Sequence, residues 1–464
     1  MRLVKLSLLT LVDSAVRLRR APAHSGSVSG EHFLEHLQVE QGMMELPSTS
    51  VIPTTEPFQF RPDVEPDVWS PTCTASQQGE LAVLDDLVRQ GKDLLQPCAD
   101  GWTPATVAAA FGRGSVLLFL HAHHVDLLRY DERGHIPAAA AALGGHVDVL
   151  RTLHELGVPL ARPGLDGLSA ATAAALGGQR SVLRLLNDLG VNLRASVGDK
   201  WTPATLAAAA GQAQTVLELG MLGVSLTALD GLDQTPASAA ASAGEVPTLV
   251  ALAEAGVSLA EGFGGDIPAV AAAKSGALVS LRALKGLGQI VTRSGRRGKS
   301  PATAAASGGY VEVLQYLHQE GASLTDVDPE GWTPATAAAA GGQPSVLEYL
   351  QSAGIDLCGF DGRMRSPATA AAAFAVSPQM VLEPLRNLGV NLVDSDGTGM
   401  TPATWAAGHG AVRALQELQR LGVDLDEADK NGVKPMVMAV KIGESRAVRW
   451  LRQHGHVAAG HDEF

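Results

Sequence analysis

The chain has 464 residues, 46% of them hydrophobic but only 4% aromatic, and a formal charge of −13. That length exceeds the roughly 250–300 residues at which single hydrophobic cores stop growing, leaving several domains or a repeat array. The acidity argues against nucleic-acid binding, no apolar run approaches the roughly 20 residues that span a bilayer, and three cysteines without a C-x-x-C spacing argue against a disulfide framework or a zinc ribbon.

Residues 1–68 do not repeat. Arg2 and Lys5 precede a short apolar stretch, Leu6–Val12, as in a secretory or organelle-targeting peptide over 1–20. Asp13 interrupts that stretch, and the other reading is a frayed tail. Residues 31–44 predict one helix, and 46–68, rich in Pro, Ser and Thr, predict an extended linker. His32-Phe33-Leu34-Glu35-His36 matches H-x-x-E-H, in which two histidines share a helix face with a glutamate beside them. The flanking segment is too short and polar for a protease domain and offers no third ligand, so a surface amphipathic helix is expected there.

From Trp69 onward a period of 33 residues takes over. A proline recurs at Pro71, Pro104, Pro137, Pro203, Pro236, Pro268, Pro301, Pro334, Pro367, Pro402 and Pro435, and Ala170 fills the missing place. The string T-P-A-T stands at Thr103–Thr106, Thr202–Thr205, Thr333–Thr336 and Thr401–Thr404. Thr or Ser before Pro predicts a helix start, because the hydroxyl accepts an orphan N–H and Pro needs none at the first position. A short alanine run then ends at a glycine such as Gly112, Gly145 or Gly342, suited to the left-handed C′ conformation. The second helix is amphipathic: in 181–189 Val182, Leu183, Leu186 and Leu189 share one face. It ends at another glycine, as at Gly157, Gly190 or Gly354; His124 takes that place in one unit. A tight turn follows, marked by Asp166-Gly167 or Asn431-Gly432. Isolated helices need about 12–15 residues, so each first helix persists only under the cover of its neighbours.

A turn, Thr-Pro, two helices and G-x-x-L at this period resemble the ankyrin repeat, whose core reads T-P-L-H-x-A. Ala-Thr replaces Leu-His here, as at Ala335-Thr336. The family's histidine ties neighbouring turns together, and threonine hydroxyls are the expected substitutes. The resemblance implies an all-α helix-turn-helix solenoid of about twelve units over 69–457, between a largely disordered N-terminal region and a tail at 458–464. It also implies a protein-binding scaffold or adaptor with no activity of its own.

Two units break the pattern. Ile267 stands in place of the capping Thr, and that unit's second helix contains Gly286, placed mid-helix. The unit at Pro367 has Phe374-Ala375-Val376 in place of the terminating glycine, with two extra residues. A bend or soft joint is expected at each.

Candidate partner-binding residues are Trp102, Trp201 and Trp332, which precede the capping Thr at one recurring position, together with Arg296 and Arg297 in the basic turn Arg293–Lys299. Tryptophan and arginine are frequent hot-spot residues; the alternatives are packing against the next turn and a solvated loop. His121, His123 and His124 cluster at a helix end, where their charge suits the helix dipole better than it argues for metal. No nucleophile elbow or dinucleotide fingerprint occurs, so neither catalysis nor a cofactor is expected. The expected partner is another protein bound to a monomer, cytoplasmic unless 1–20 acts as a targeting peptide. The alternatives are a secreted or organelle-targeted binder, or a metal-dependent hydrolase using His32, Glu35 and His36.

Overall fold

In the computed structural model the described residues are 69–98, 101–196, 200–260, 266–295 and 298–456. The chain divides into two units, 1–51 and 52–464, and every described residue belongs to the second. The H-x-x-E-H segment, the possible targeting peptide and the tail lie outside them, as do Arg296 and Arg297.

The described residues form twelve helix pairs and no strand element. The first helices are α1 (Pro71–Gln78), α3 (Pro104–Ala110), α5 (Pro137–Gly144), α7 (Ala170–Leu176), α9 (Pro203–Ala209), α11 (Pro236–Ala243), α13 (Pro268–Ser275), α15 (Pro301–Gly308), α17 (Pro334–Ala340), α19 (Pro367–Phe374), α21 (Pro402–Gly408) and α23 (Pro435–Ile442). The second helices are α2 (Leu81–Arg89), α4 (Gly114–Ala122), α6 (Val147–Glu155), α8 (Arg180–Asp188), α10 (Ala213–Met221), α12 (Val246–Glu254), α14 (Leu278–Gly286), α16 (Val311–Gln319), α18 (Pro344–Ser352), α20 (Leu382–Asn387), α22 (Val412–Arg420) and α24 (Ser445–Gln453).

Each first helix packs on the first helices before and after it, making one continuous row. Alanine makes this approach short: all seven residues of α17 are buried, and Ala338 and Ala339 have no exposure at all. Seven or eight residues could not hold a helix in water, so this burial is what sustains them. The second helices bury one stripe only, in α8 Val182, Leu183, Leu185 and Leu186.

The starts obey the predicted chemistry and add to it. Thr103 Oγ1 accepts from Thr106 N at 3.2 Å while Thr106 Oγ1 accepts from Thr103 N at 2.9 Å. This reciprocal capping box, made with Thr in place of the usual Glu, recurs at Ser169/Thr172, Thr202/Thr205, Thr235/Ser238, Thr333/Thr336, Ser366/Thr369 and Thr401/Thr404. The ends behave as expected too: His124 adopts φ +61°, the left-handed conformation that glycine takes in the other units.

The irregular units differ from expectation in detail. Gly286 is the last residue of α14, where a missing side chain costs little, rather than an interior breaker. Ala375 leaves α19 at φ −65°, ψ 128°, extended, because an alanine enters the left-handed region only at a cost. The chain then makes a 3₁₀ turn at Pro378–Met380 before α20. That turn packs against α22, while α20 reaches it through side chains, Arg420 donating to Glu383 at 2.7 Å and Arg386 to Leu421 O at 2.9 Å. Phe374 fills the space: its ring lies 5.8 Å from Trp332, 6.3 Å from Trp405 and 5.0 Å from His409.

Candidate partner-binding surface

The turns between units project as fingers, six of them each built on one buried carboxylate. Asp131, Asp230, Asp328, Asp361, Asp396 and Asp429 all stand six residues before a helix-opening proline, and none is more than 6% exposed. One oxygen of each accepts the N–H groups two and four residues on. For Asp328 these are Glu330 at 3.0 Å and Trp332 at 2.8 Å; for Asp429 they are Asn431 and Val433, both at 2.9 Å. The other oxygen of Asp328 accepts the Thr303 hydroxyl of the preceding unit at 2.6 Å. This is the tie between turns for which threonine was the expected substitute. Successive fingers also share a backbone bond, such as Gly362 N to Gly331 O at 3.0 Å and Lys430 N to Gly399 O at 3.0 Å.

Two recurring contacts escaped the sequence reading. The carboxylate anchors stand beside turn glycines, which already account for the turn in the sequence. The second contact is a ladder of side chains that open the second helices and reach the previous unit: Arg113 Nε donates to Gln77 O (2.8 Å), His146 Nε2 lies 2.8 Å from Ala110 O, and Gln179 Nε2 donates to Leu143 O (3.1 Å). Their spacing of 33 residues was legible, but Arg, His and Gln share only a reach and a polar tip.

The predicted tryptophans sit at the finger bases, where the row packs on itself. Trp102 is 3% exposed and lies 5.3 Å from the His135 ring at the same position of the next unit. Trp332 is 7% exposed and carries the Arg365 guanidinium 3.8 Å above its ring. Arg365 is itself 1% exposed and paired with Asp361 at 2.9 Å. Trp201 alone of the three stays half-buried. In the same row Lys299 donates to Ser307 Oγ at 3.4 Å, and burial pushes its ammonium below the usual lysine range. Burial likewise raises the facing Glu330 carboxyl.

Exposed apolar side chains gather on the fingers of the C-terminal units. Val327, Phe360, Met364 and Val393 are 49%, 46%, 48% and 41% exposed. Met364 holds φ +64°, a conformation given at that place in the turn to glycine and, in one other unit, to Asp233. Phe360 and Val393 line a groove of about 460 Å3 with Cys358, Asp394, Glu427 and Lys430. Asp394 and Glu427 are exposed, so an apolar floor meets a mainly acidic rim. Cys358 is an exposed free thiol, and burial and then the Asp356 and Asp394 carboxylates push its pKa up. A thiol held protonated is a poor nucleophile.

Among the described residues no group of three His, Cys, Asp or Glu is placed to hold a metal ion. The His123 ring packs 4.4 Å from Phe119. No helix among them is long and apolar enough to cross a membrane. Sulfur chemistry brings a correction: Cys73 and Cys98 form a disulfide, which the argument against a disulfide framework did not anticipate.

With two helices in unit after unit, six turns anchored on a buried aspartate and the Thr303–Asp328 tie, the architecture is that of a repeat scaffold. Two family models match, one for three copies of the ankyrin repeat over residues 269–361 and one for many copies over 137–186. The chain carries ankyrin repeats. Such repeats are in general protein-interaction modules. No curated protein matches the chain.

Proposed function

We propose that this chain is a protein-binding scaffold that catalyses nothing, and that its fingers take up an extended segment of a partner. The groove bounded by Phe360, Val393, Asp394 and Glu427 carries the reading. An exposed phenylalanine beside exposed carboxylates favours a segment that places a Leu- or Phe-like side chain next to Lys or Arg. The net charge of −13 steers the same partners by long-range attraction. Trp201, which keeps accessible surface, is the tryptophan we assign to the contact; Trp102 and Trp332 are buried against His135 and Arg365. Arg296 and Arg297 would serve an acidic portion of the same partner.

Selection from a random peptide display library on the full chain tests this. Bound sequences should be enriched in Lys or Arg beside a large apolar residue, and binding should weaken as salt rises. Phe360→Ser should weaken binding about tenfold, the cost of losing one anchor. Glu427→Lys should slow association, and occupancy should shield Cys358 from alkylation. Peptides without basic residues, or affinity indifferent to Phe360 and Glu427, would reject the groove. Loss of binding on Trp201→Ala or Arg296→Ala instead would move the contact to those fingers.

A further inference from the structure

The disulfide occupies a place with a meaning in the repeat. Cys73 stands two residues after Pro71, where later units have Thr106, Thr303 or Thr336. Cys98 stands six residues before Pro104, the place of the anchoring aspartates. The backbone agrees with that count. Cys98 N donates to Trp102 O at 2.7 Å and Gly101 N to Cys98 O at 2.9 Å, just as Asp328 N donates to Trp332 O at 2.8 Å and Gly331 N to Asp328 O at 2.9 Å. The bonded cysteines are 25 residues apart, and so are Thr303 and Asp328. The disulfide is therefore the covalent counterpart of the threonine–aspartate tie, used once, in the first of the twelve units.

We propose that the Cys73–Cys98 pair is a redox modification site that makes order in the first repeat conditional on oxidation. A cysteine at position 98 has no carboxylate to accept the turn's N–H groups or a hydroxyl from the preceding unit. Reduction thus removes the covalent tie and leaves nothing equivalent. This unit is also the first of the described row, and α1 packs on only one other first helix, α3. A solenoid unit held from one side opens most easily. Both sulfurs are buried, Cys73 at 0% and Cys98 at 4%, so the chemistry proceeds through such openings.

The oxidant is a glutathione-type disulfide. One cysteine thiolate attacks it, forming a mixed disulfide and releasing a thiolate; the second cysteine thiolate displaces the other. The two cysteine sulfurs lose two electrons, the donor gains them, and the two cysteine protons pass to the released thiols. Compartments rich in such donors keep the first repeat closed, and reducing ones release it.

Peptide mapping of the full chain without reductant should recover Cys73 and Cys98 in one linked pair. On reduction, amide exchange across 71–89 should accelerate on the order of 10²-fold, the loop-closure effect of a 25-residue ring, while 137–155 stays unchanged. Cys73→Ser with Cys98→Ser should match the reduced protein with or without reductant. Cys73→Thr with Cys98→Asp should restore most of the protection and abolish the response to reductant, because it installs the tie that Thr303 and Asp328 make. Free thiols at both positions under oxidising conditions, or exchange indifferent to reductant, would overturn the proposal. A Thr/Asp variant as loose as the serine variant, with 137–155 still protected, would refute the equivalence of the two ties.

Discussion

Asp328 illustrates how one side chain organises a finger. Its carboxylate is 5% exposed and accepts from Glu330 N, Trp332 N and Thr303 Oγ1. Bonds to a charged acceptor contribute roughly 1.5–3 kcal/mol each, and donors left buried without a partner add a penalty. Asp328→Ala should cost about 3 kcal/mol, seen as exchange faster by roughly 10²-fold in the flanking α15 and α17. Asp328→Asn keeps one carbonyl acceptor and should cost about a third as much. A change below about 0.5 kcal/mol for the alanine variant would show that the turn is held by its backbone bonds alone. Aspartate stands six residues before the helix opening in six of the twelve units, against proline at the opening in eleven, and an Asp beside Gly, as at Asp361-Gly362, reads first as a turn former. Only the coordinates reveal that the carboxylate is inside. The finger-base tryptophans show the opposite case: their type suggests contact with a partner, and the rings of Trp102 and Trp332 pack on His135 and Arg365.

Helix to helix, much was legible because period, caps and glycines are local properties. What was not legible depends on distance across units. Phe374 bridges Trp332 of the preceding unit and Trp405 and His409 of the following one, where a soft joint was expected. Arg184 of α8 likewise reaches α10, where its guanidinium donates to both oxygens of Glu218 at 2.6 and 2.7 Å. Glu218 is 3% exposed, and the Arg184 hydrogen bond holds its carboxyl below the ordinary glutamate range against the opposing effect of burial. The folded chain therefore binds this proton less readily than the unfolded chain, whose glutamates titrate near about 4.3. The stabilisation is complete above that pH and is lost as pH falls through the lower, folded value. Glu218→Gln should open α8 and α10 more readily at pH 7, and the gap from the parent should close as pH drops below about 4. Hydrogen exchange in the two helices measures this; a gap that widens on acidification would contradict it.

Across the molecule, stability is shared by nearest neighbours. No first helix exceeds eight residues, and each is covered by the units beside it. In such a row the free energy is a sum of unit and interface contributions, and cooperativity extends only as far as the interfaces hold. One broken interface should therefore divide the transition without abolishing the fold. Ala338 is fully buried in α17, and Ala338→Asp would place a charge where neither water nor a partner can meet it. Ala353 in the same unit is exposed and provides the control. Urea unfolding of the Ala338→Asp protein should resolve into two steps, with exchange lost first in α15, α17 and α19 and retained in α5 and α23. The Ala353→Asp protein should unfold like the parent. A single sharp transition displaced as a whole, with every helix losing protection together, would mean that the units share one core. The capture of a partner segment by a few fingers would then have to be coupled to the stability of all of them.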